Sequence, residues 1–334
     1  MRLPPRWIRR LLFGPILVGV VLLGITSLPV WAIIAAFASR FVPGRWRPLR
    51  LAWFGLVWFA FEAVVLVALF GLWVFTGFGW RMRSEWSQTA HYGLMAWFLG
   101  HVVGTGRRTF GLTLDVEWSG ADSIDGRPLL VFARHAGPGD SLLIVDALMN
   151  SLGRRPRVVL KDVLQWDPAI DTLLNRLPSR FITPGSRTGS TEAIHDLAAS
   201  MGATDALVIF PEGGNFTAAR RRRAIEKLEG LGRQEFAQRA RDLEYLLPPQ
   251  VGGVIAAVSG APTSIVGLVG HVGLDHMETP LDIWDGLVMD RVVYTRVWFS
   301  EAGDLPTDRS RLEVWLFDAW EEMDTWITAH RDPQ

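Results

Sequence analysis

Two long runs almost empty of charge limit what this chain can become. Leu11–Ser39 is 29 residues without a charged side chain, between Arg9–Arg10 and Arg40. Leu51–Trp80 is 30 residues with one, Glu62, between Arg50 and Arg81. A helix crosses the hydrocarbon core of a bilayer with about 20 apolar residues, so each run is long enough to span. The first is longer than the apolar region of a secretory signal and has no clean small-residue cleavage site. The linker between them, FVPGRWRPLR, is short and basic, which predicts a transmembrane helical hairpin with helices at about 11–39 and 51–80. Trp46, Trp53, Trp73 and Trp80 fall near the predicted ends, where amphipathic rings favour the membrane interface.

Arginines flank both ends of the hairpin, so the positive-inside bias nearly cancels. Two spans put the N-terminus and the following domain on one side, taken here as the cytoplasmic face of the cell membrane. Glu62 inside a span invites a functional reading; the plainer accounts are that it faces the hairpin partner or that the true span ends before it. Trp86–Gly106 also lacks charge but contains Gln88, His91 and His101. That polarity fits an interfacial helix, or one packed between membrane and domain, better than a third span. The predicted organisation is a membrane hairpin at 1–85, an interfacial helix and connector at 86–112, and a folded domain at 113–334.

Lys+Arg and Asp+Glu each number 34, so net charge makes no case for nucleic acid. Cysteine is absent, which removes disulfides, a thiolate nucleophile and Cys-based metal sites. From about Thr113, strand and helix signals alternate. Strands are predicted at Leu114–Trp118, Pro128–Ala133, Arg157–Lys161, Arg180–Thr183, Ala206–Phe210, Ser264–Gly270 and Val292–Phe299. Helices are predicted at Asp140–Leu152, with Asp140 or Ser141 as N-cap, around Pro168–Leu177, and at Thr191–Met201, Gly252–Ser259 and Arg309–His330. Thr217–Leu243 reads as charged and helix-rich, and Met277–Gly286 as a loop. This alternation implies an α/β fold, a mixed and mostly parallel sheet flanked by helices.

Two short motifs follow strand-like runs: HAGPGD at His135–Asp140 and FPEGGNFT at Phe210–Thr217. The Gly137-Pro138-Gly139 turn can fold Asp140 back onto His135, so that the carboxylate holds one imidazole nitrogen and leaves the other able to accept a proton from a hydroxyl. This is the His–Asp half of a triad; there is no G-x-S-x-G elbow to supply a serine. The plain alternative is a strand-end histidine beside an ordinary capping aspartate. In the second motif, Pro211 and Gly213–Gly214 predict a sharp turn whose backbone N–H groups can face an anion, and Glu212 can orient substrate or anchor that turn. Thr217 also suits a helix cap. Arg220–Arg223 follow at once; one or two of them could meet a phosphate, the rest being solvated.

Taken in this order, the motifs resemble those of the glycerolipid acyltransferase family, whose bacterial type is 1-acyl-glycerol-3-phosphate acyltransferase. The family carries His-x-x-x-x-Asp and Phe-Pro-Glu-Gly-(Thr/Ser)-Arg, which His135–Asp140 and Phe210–Gly213 match. VVLKDVLQWDPAIDTLLNRLPSRFI, between the motifs, is similar to the family's intervening stretch. Phe216–Thr217, the basic Arg220–Lys227, LLPPQVGG at Leu246–Gly253 and the closing RLEVWLFDAWEEMDTWI look like the branch of lysocardiolipin and related lysophospholipid acyltransferases. The similarity covers roughly Leu114 to Ile327.

The resemblance implies His135 as general base, Asp140 as its partner, and a phosphate-bearing acceptor bound by Phe210, Pro211, Glu212, Gly213 and Gly214. It implies an acyl-CoA or acyl carrier protein donor, no cofactor and no metal. Three positions depart from the pattern. Gly214–Asn215 replaces Thr-Arg, Gln250 replaces the Arg of Leu-Pro-Arg, and the Arg that follows the family's Phe-Ile strand is displaced, Arg187 being the nearest downstream. Lys161, Arg180, Arg187 and Arg220 could supply the missing charge, or the acceptor carries less phosphate. A catalytically degenerate lipid-binding member and a lipid hydrolase are the competing expectations.

Overall fold

The computed structural model describes residues 3–42, 46–119, 124, 126–183, 187–274 and 290–331. They fall into two compact units. The first comprises 1–112, 149–151 and 160–185; the second comprises 113–148, 152–159 and 186–334.

The first unit opens with α1 (Arg6–Thr26), α2 (Leu28–Ala38), α3 (Arg47–Phe75) and α4 (Glu85–Phe110). The first apolar run is therefore two helices rather than one. Pro29, at the second position of α2, lacks the N–H that would bond back into α1, so the helix breaks at Ser27. Of the described helices, α1 and α3 are long and apolar enough to cross a membrane, and Leu11, Leu12, Ile16, Val20, Val67 and Phe70 lie exposed along them.

The helix expected within 86–112 runs from Glu85 to Phe110. Ser84 Oγ accepts the Ser87 N–H at its start, and Gly111, at φ +67°, stops it. It packs against α3 through Phe54 on Phe110, Trp58 on Phe98 and Phe61 on Trp97, with ring centroids 5.1 to 5.9 Å apart. Gly106 leaves room for the Phe54 ring, which stands 3.2 Å from where a Cβ would be.

The 3₁₀ turn Asp162–Trp166 and helix α6 (Pro168–Leu174) complete the helical part of this unit. Arg9 Nη2 donates to Asp171 Oδ1 at 2.5 Å and to Gln165 Oε1 at 3.0 Å. Glu62 is buried and hydrogen-bonded to Asp167, which caps α6. The sequence leaves Glu62 to pack on the hairpin; its hydrogen-bond partner is the cap of α6.

The sheet has seven strands: β1 (Thr113–Ser119), β2 (Leu129–Ala133), β3 (Arg155–Lys161), β4 (Arg180–Ile182), β5 (Asp205–Ile209), β6 (Ile265–Val272) and β7 (Val292–Glu301). Their order is β1-β7-β6-β2-β5-β3-β4. β2 runs parallel to β5 and β6, and β3 to β5. β7 is antiparallel to β6 and parallel to β1. The central strands β2, β5 and β6 are buried along their whole length, as strands covered on both faces must be.

The intervening helices are α5 (Pro138–Asp146), continued by a wider π turn at Ala147–Ser151, then α7 (Arg187–Ala199), α8 (Ala218–Gly230), α9 (Gln234–Asp242) and α10 (Val251–Gly260). The last is α11 (Arg309–His330). Leu130, Phe132, Leu207, Val266, Val254, Leu316 and Trp320 form the centre of the core, each fully or almost fully buried. The loop expected at Met277–Gly286 lies outside the described residues.

Candidate active site

β2 and β5 are parallel neighbours, with Phe132 opposite Ile209. Their carboxyl ends therefore stand side by side, and the two motifs that leave them, about 70 residues apart in sequence, meet. The crevice beyond the carboxyl ends of parallel strands is where open α/β sheets bind ligands.

His135 Nδ1 lies 3.2 Å from both Asp140 oxygens. The carboxylate is fixed independently of that contact. Asp140 Oδ2 accepts the N–H groups of Ala136 at 2.7 Å and Gly137 at 3.0 Å, and Ser141 Oγ donates to Oδ1 at 3.0 Å. Asp140 is the third residue of α5, not the N-cap anticipated from sequence. Gly137 is the N-cap, and Asp140 reaches back to its N–H in the manner of a capping box. The side chain of Asp140 is wholly buried, whereas that of His135 is 17% exposed. Burial works against the carboxylate's charge, but the hydrogen bond to His135 and the nearby His271 outweigh it and hold Asp140 well below the usual carboxylate range.

The second motif clasps the first. Glu212 Oε1 accepts the His135 N–H at 2.9 Å, and Oε2 accepts the Leu247 N–H at 3.1 Å. The Phe216 N–H donates to the His135 carbonyl at 3.1 Å, and the Phe210 ring packs on the imidazole with centroids 4.4 Å apart. Glu212 is buried and committed to two backbone amides, so it ties the turn to the histidine rather than standing open to a ligand. Burial pushes its pKa up to about 8, against the pull of those amides and of Arg134.

Gly213 has φ +71°, a conformation that costs residues with a Cβ. The turn is closed by the Gly213 N–H on the Phe210 carbonyl at 3.0 Å and by Gln250, whose N–H donates to the Pro211 carbonyl at 2.9 Å. Gln250 Nε2 also donates to the Glu212 carbonyl at 3.3 Å.

Thr217 caps α8, its Oγ1 accepting the Arg220 N–H at 2.9 Å. The Arg220 guanidinium then folds back over the turn: Nη1 donates to the Asn215 carbonyl at 2.9 Å and stands 3.5 Å from the place a Cβ on Gly214 would take. Position 215 holds Asn, but a guanidinium reaches the same turn from one helical turn further on. Arg221 is occupied elsewhere, its Nε donating to the Leu243 carbonyl at 2.9 Å.

The structure thus brings His135, Asp140, Phe210–Gly214 and Arg220 together in the second unit. Lys161 is exposed at the end of β3 and falls in the first unit. Arg187 is the first residue of α7, and its side chain lies outside those described. Among the described residues no group of acidic, His or Cys side chains forms a metal site.

Two participants were not singled out from sequence. Gln250, noted only as a departure from an arginine, latches the glycine turn. His271 lies against Asp140, with Nε2 3.6 Å from Oδ2. Its signal is positional: Ala133 pairs with Val269, so His271 stands level with His135 on the adjacent strand, a relation visible only once the register is known.

Residues 115–268 match the model of a family described as Acyltransferase. No curated protein matches the chain. Among solved structures the chain is similar to the 1-acyl-sn-glycerophosphate (LPA) acyltransferase PlsC from Thermotoga maritima. That similarity has 14% identity and a TM-score of 0.43, and covers 81% of this chain and 100% of that one.

Proposed function

Starting from the acyltransferase-family domain at residues 115–268, we propose that this chain transfers a fatty acyl group from an acyl thioester to a hydroxyl of a membrane lysophospholipid. The donor is acyl-CoA or acyl carrier protein, and the acceptor is of the 1-acyl-glycerol-3-phosphate type. The observation that carries the reading is His135 Nδ1 held 3.2 Å from both oxygens of a buried Asp140, beside the Phe210–Gly214 turn.

Asp140 keeps the proton of the neutral imidazole on Nδ1, leaving Nε2 as the base. The acceptor hydroxyl gives its proton to Nε2 as its oxygen attacks the thioester carbonyl carbon. The tetrahedral intermediate then collapses, the C–S bond breaks, and the departing thiolate takes the proton from the imidazolium. Backbone N–H groups near the two motifs stabilise the tetrahedral oxyanion. Arg220 meets the acceptor phosphate. No acyl-enzyme is required, in keeping with a chain that has no Cys and no G-x-S-x-G elbow.

The exposed apolar lengths of α1 and α3 support anchorage in a membrane; we propose its cytoplasmic side for the catalytic domain. The test is acyl transfer from labelled acyl-CoA and acyl carrier protein to a panel of lysophospholipids. His135→Ala is expected to lower turnover by a factor of roughly 10² to 10⁴ while the protein stays folded. Undiminished turnover in that variant would remove His135 from the mechanism. Lipid binding without turnover by the wild type would instead identify a degenerate, lipid-binding member, and release of fatty acid without an acceptor a hydrolase.

A further inference from the structure

His271 has no part in the mechanism above, yet it is among the most enclosed polar side chains of the domain, 3% exposed. It is the next-to-last residue of β6, at the end toward the site. Gly270 faces α11, where a Cβ would meet Met323 at 2.9 Å, so His271, one residue on, points to the opposite face of the sheet. That is the face on which α5 packs, with Leu143 of α5 against Leu274 and Val293.

Both ring nitrogens of His271 are buried, and neither has a hydrogen-bond partner among the described residues. A buried imidazole without a partner is costly and asks for an explanation. Nε2 stands 3.6 Å from Asp140 Oδ2, too long for a hydrogen bond in the resting geometry but well within electrostatic reach. Its backbone is held as well: the His271 carbonyl accepts from Arg134 Nη1 at 2.5 Å, and Arg134 itself is 1% exposed.

Resting on the acyl-transfer reading, we propose that His271 is a positioning residue for the His135–Asp140 pair, its Nε2–H aimed at the carboxylate on the side opposite His135. Asp140 is then held by two backbone N–H groups, the Ser141 hydroxyl, His135 and His271. When positive charge develops on His135 during the proton transfer, the 3.6 Å contact shortens, as catalytic hydrogen bonds do once substrate binds. His271 acts only through Asp140 and touches neither substrate.

The test compares His271→Gln with His271→Asn in the full-length chain. The Gln amide nitrogen reaches the place of Nε2, whereas that of Asn stops at the level of Nδ1; both are polar and neither overfills the site. His271→Asn is expected to lower kcat by on the order of tenfold or more, the scale of a misplaced catalytic group, with KM for donor and acceptor within about twofold of wild type. His271→Gln recovers most of that loss. In an Asp140→Asn background the His271→Asn effect disappears, because the residue through which it acts is gone.

Wild-type kcat in His271→Asn, a loss that Gln does not recover, or a loss undiminished beside Asp140→Asn would each overturn the proposal. A readout independent of turnover is the ring-nitrogen resonance of His271 in protein labelled with ¹⁵N-histidine. It is expected to move on Asp140→Asn, and an unmoved resonance sinks the idea. Activity that survives His135→Ala removes His135 as the base, and absence of acyl transfer by the wild type sinks the acyl-transfer reading; in either case the resonance still decides whether His271 faces Asp140.

Discussion

Arg220 is the residue whose role separates phosphate recognition from turn building. Its Nη1 holds the Asn215 carbonyl, and the rest of the guanidinium fork is available to a phosphate. Arg220→Ala is expected to raise KM about tenfold for lysophosphatidic acid, on the scale of one charge-assisted hydrogen bond, and to leave KM for a monoacylglycerol acceptor unchanged. Equal rises for both acceptors would mean that Arg220 only braces the turn.

Glu212 gives a second prediction with a defined sign. Unfolded, it ionises near 4.5; folded, it keeps its proton up to about 8. Its contribution to stability is complete below pH 4.5 and is lost as pH rises toward 8, by at most about 1.4 kcal/mol per pH unit. Glu212→Gln abolishes that dependence. It also sets an NH₂ against one of the amides of His135 and Leu247, at a cost of about 1–3 kcal/mol. Denaturation midpoints of wild type and variant should lie furthest apart near pH 5 and converge toward pH 8. A gap independent of pH would show that Glu212 is ionised throughout. The His135–Asp140 pairing was legible in six letters of sequence, because one short turn joins the two. The direction in which Glu212 points was not, since its partners lie 77 and 35 residues away.

At the scale of elements, helix α10 fits closely against α7. A Cβ on Gly260 would lie 2.7 Å from the His195 carbonyl oxygen and 2.8 Å from Ala198 Cβ. The oxygen belongs to the backbone of α7 and cannot swing aside, so Gly260→Ala forces the helices apart. We expect a loss of about 1–3 kcal/mol, read as a lowered Tm, with little change in KM; an unchanged Tm would refute the packing argument. The position of α10 could be read from its apolar run, and most strands came within two residues of their expected ends. What could not be read was the effect of single residues on helix boundaries. Pro29 divides the first apolar run, and Gly137 begins α5 three residues ahead of Asp140, because a cap is decided by backbone geometry as much as by side-chain type.

For the whole molecule, whose formal net charge is zero, the exposed apolar lengths of α1 and α3 decide how it meets a membrane. Alkaline carbonate, which strips proteins held to membranes by charge, should leave the full-length chain in the membrane pellet. Release into the supernatant would show that these helices do not enter the bilayer. The parallel sheet was expected from alternating elements, but the place of β7 was not, since nothing local marks which strand will run antiparallel.

That placement governs the order in which the protein can be made. Thr113 of β1 pairs with Val292 of β7, so one of the earliest strands waits for the last. A ribosome must emit nearly the whole domain before either β1 or the open side of β6 finds its neighbour, and pairings this remote in sequence form slowly. The apolar helices will by then have been outside the ribosome for well over a hundred residues of synthesis. Whatever these helices bind, they are free to bind it before the sheet behind them can close.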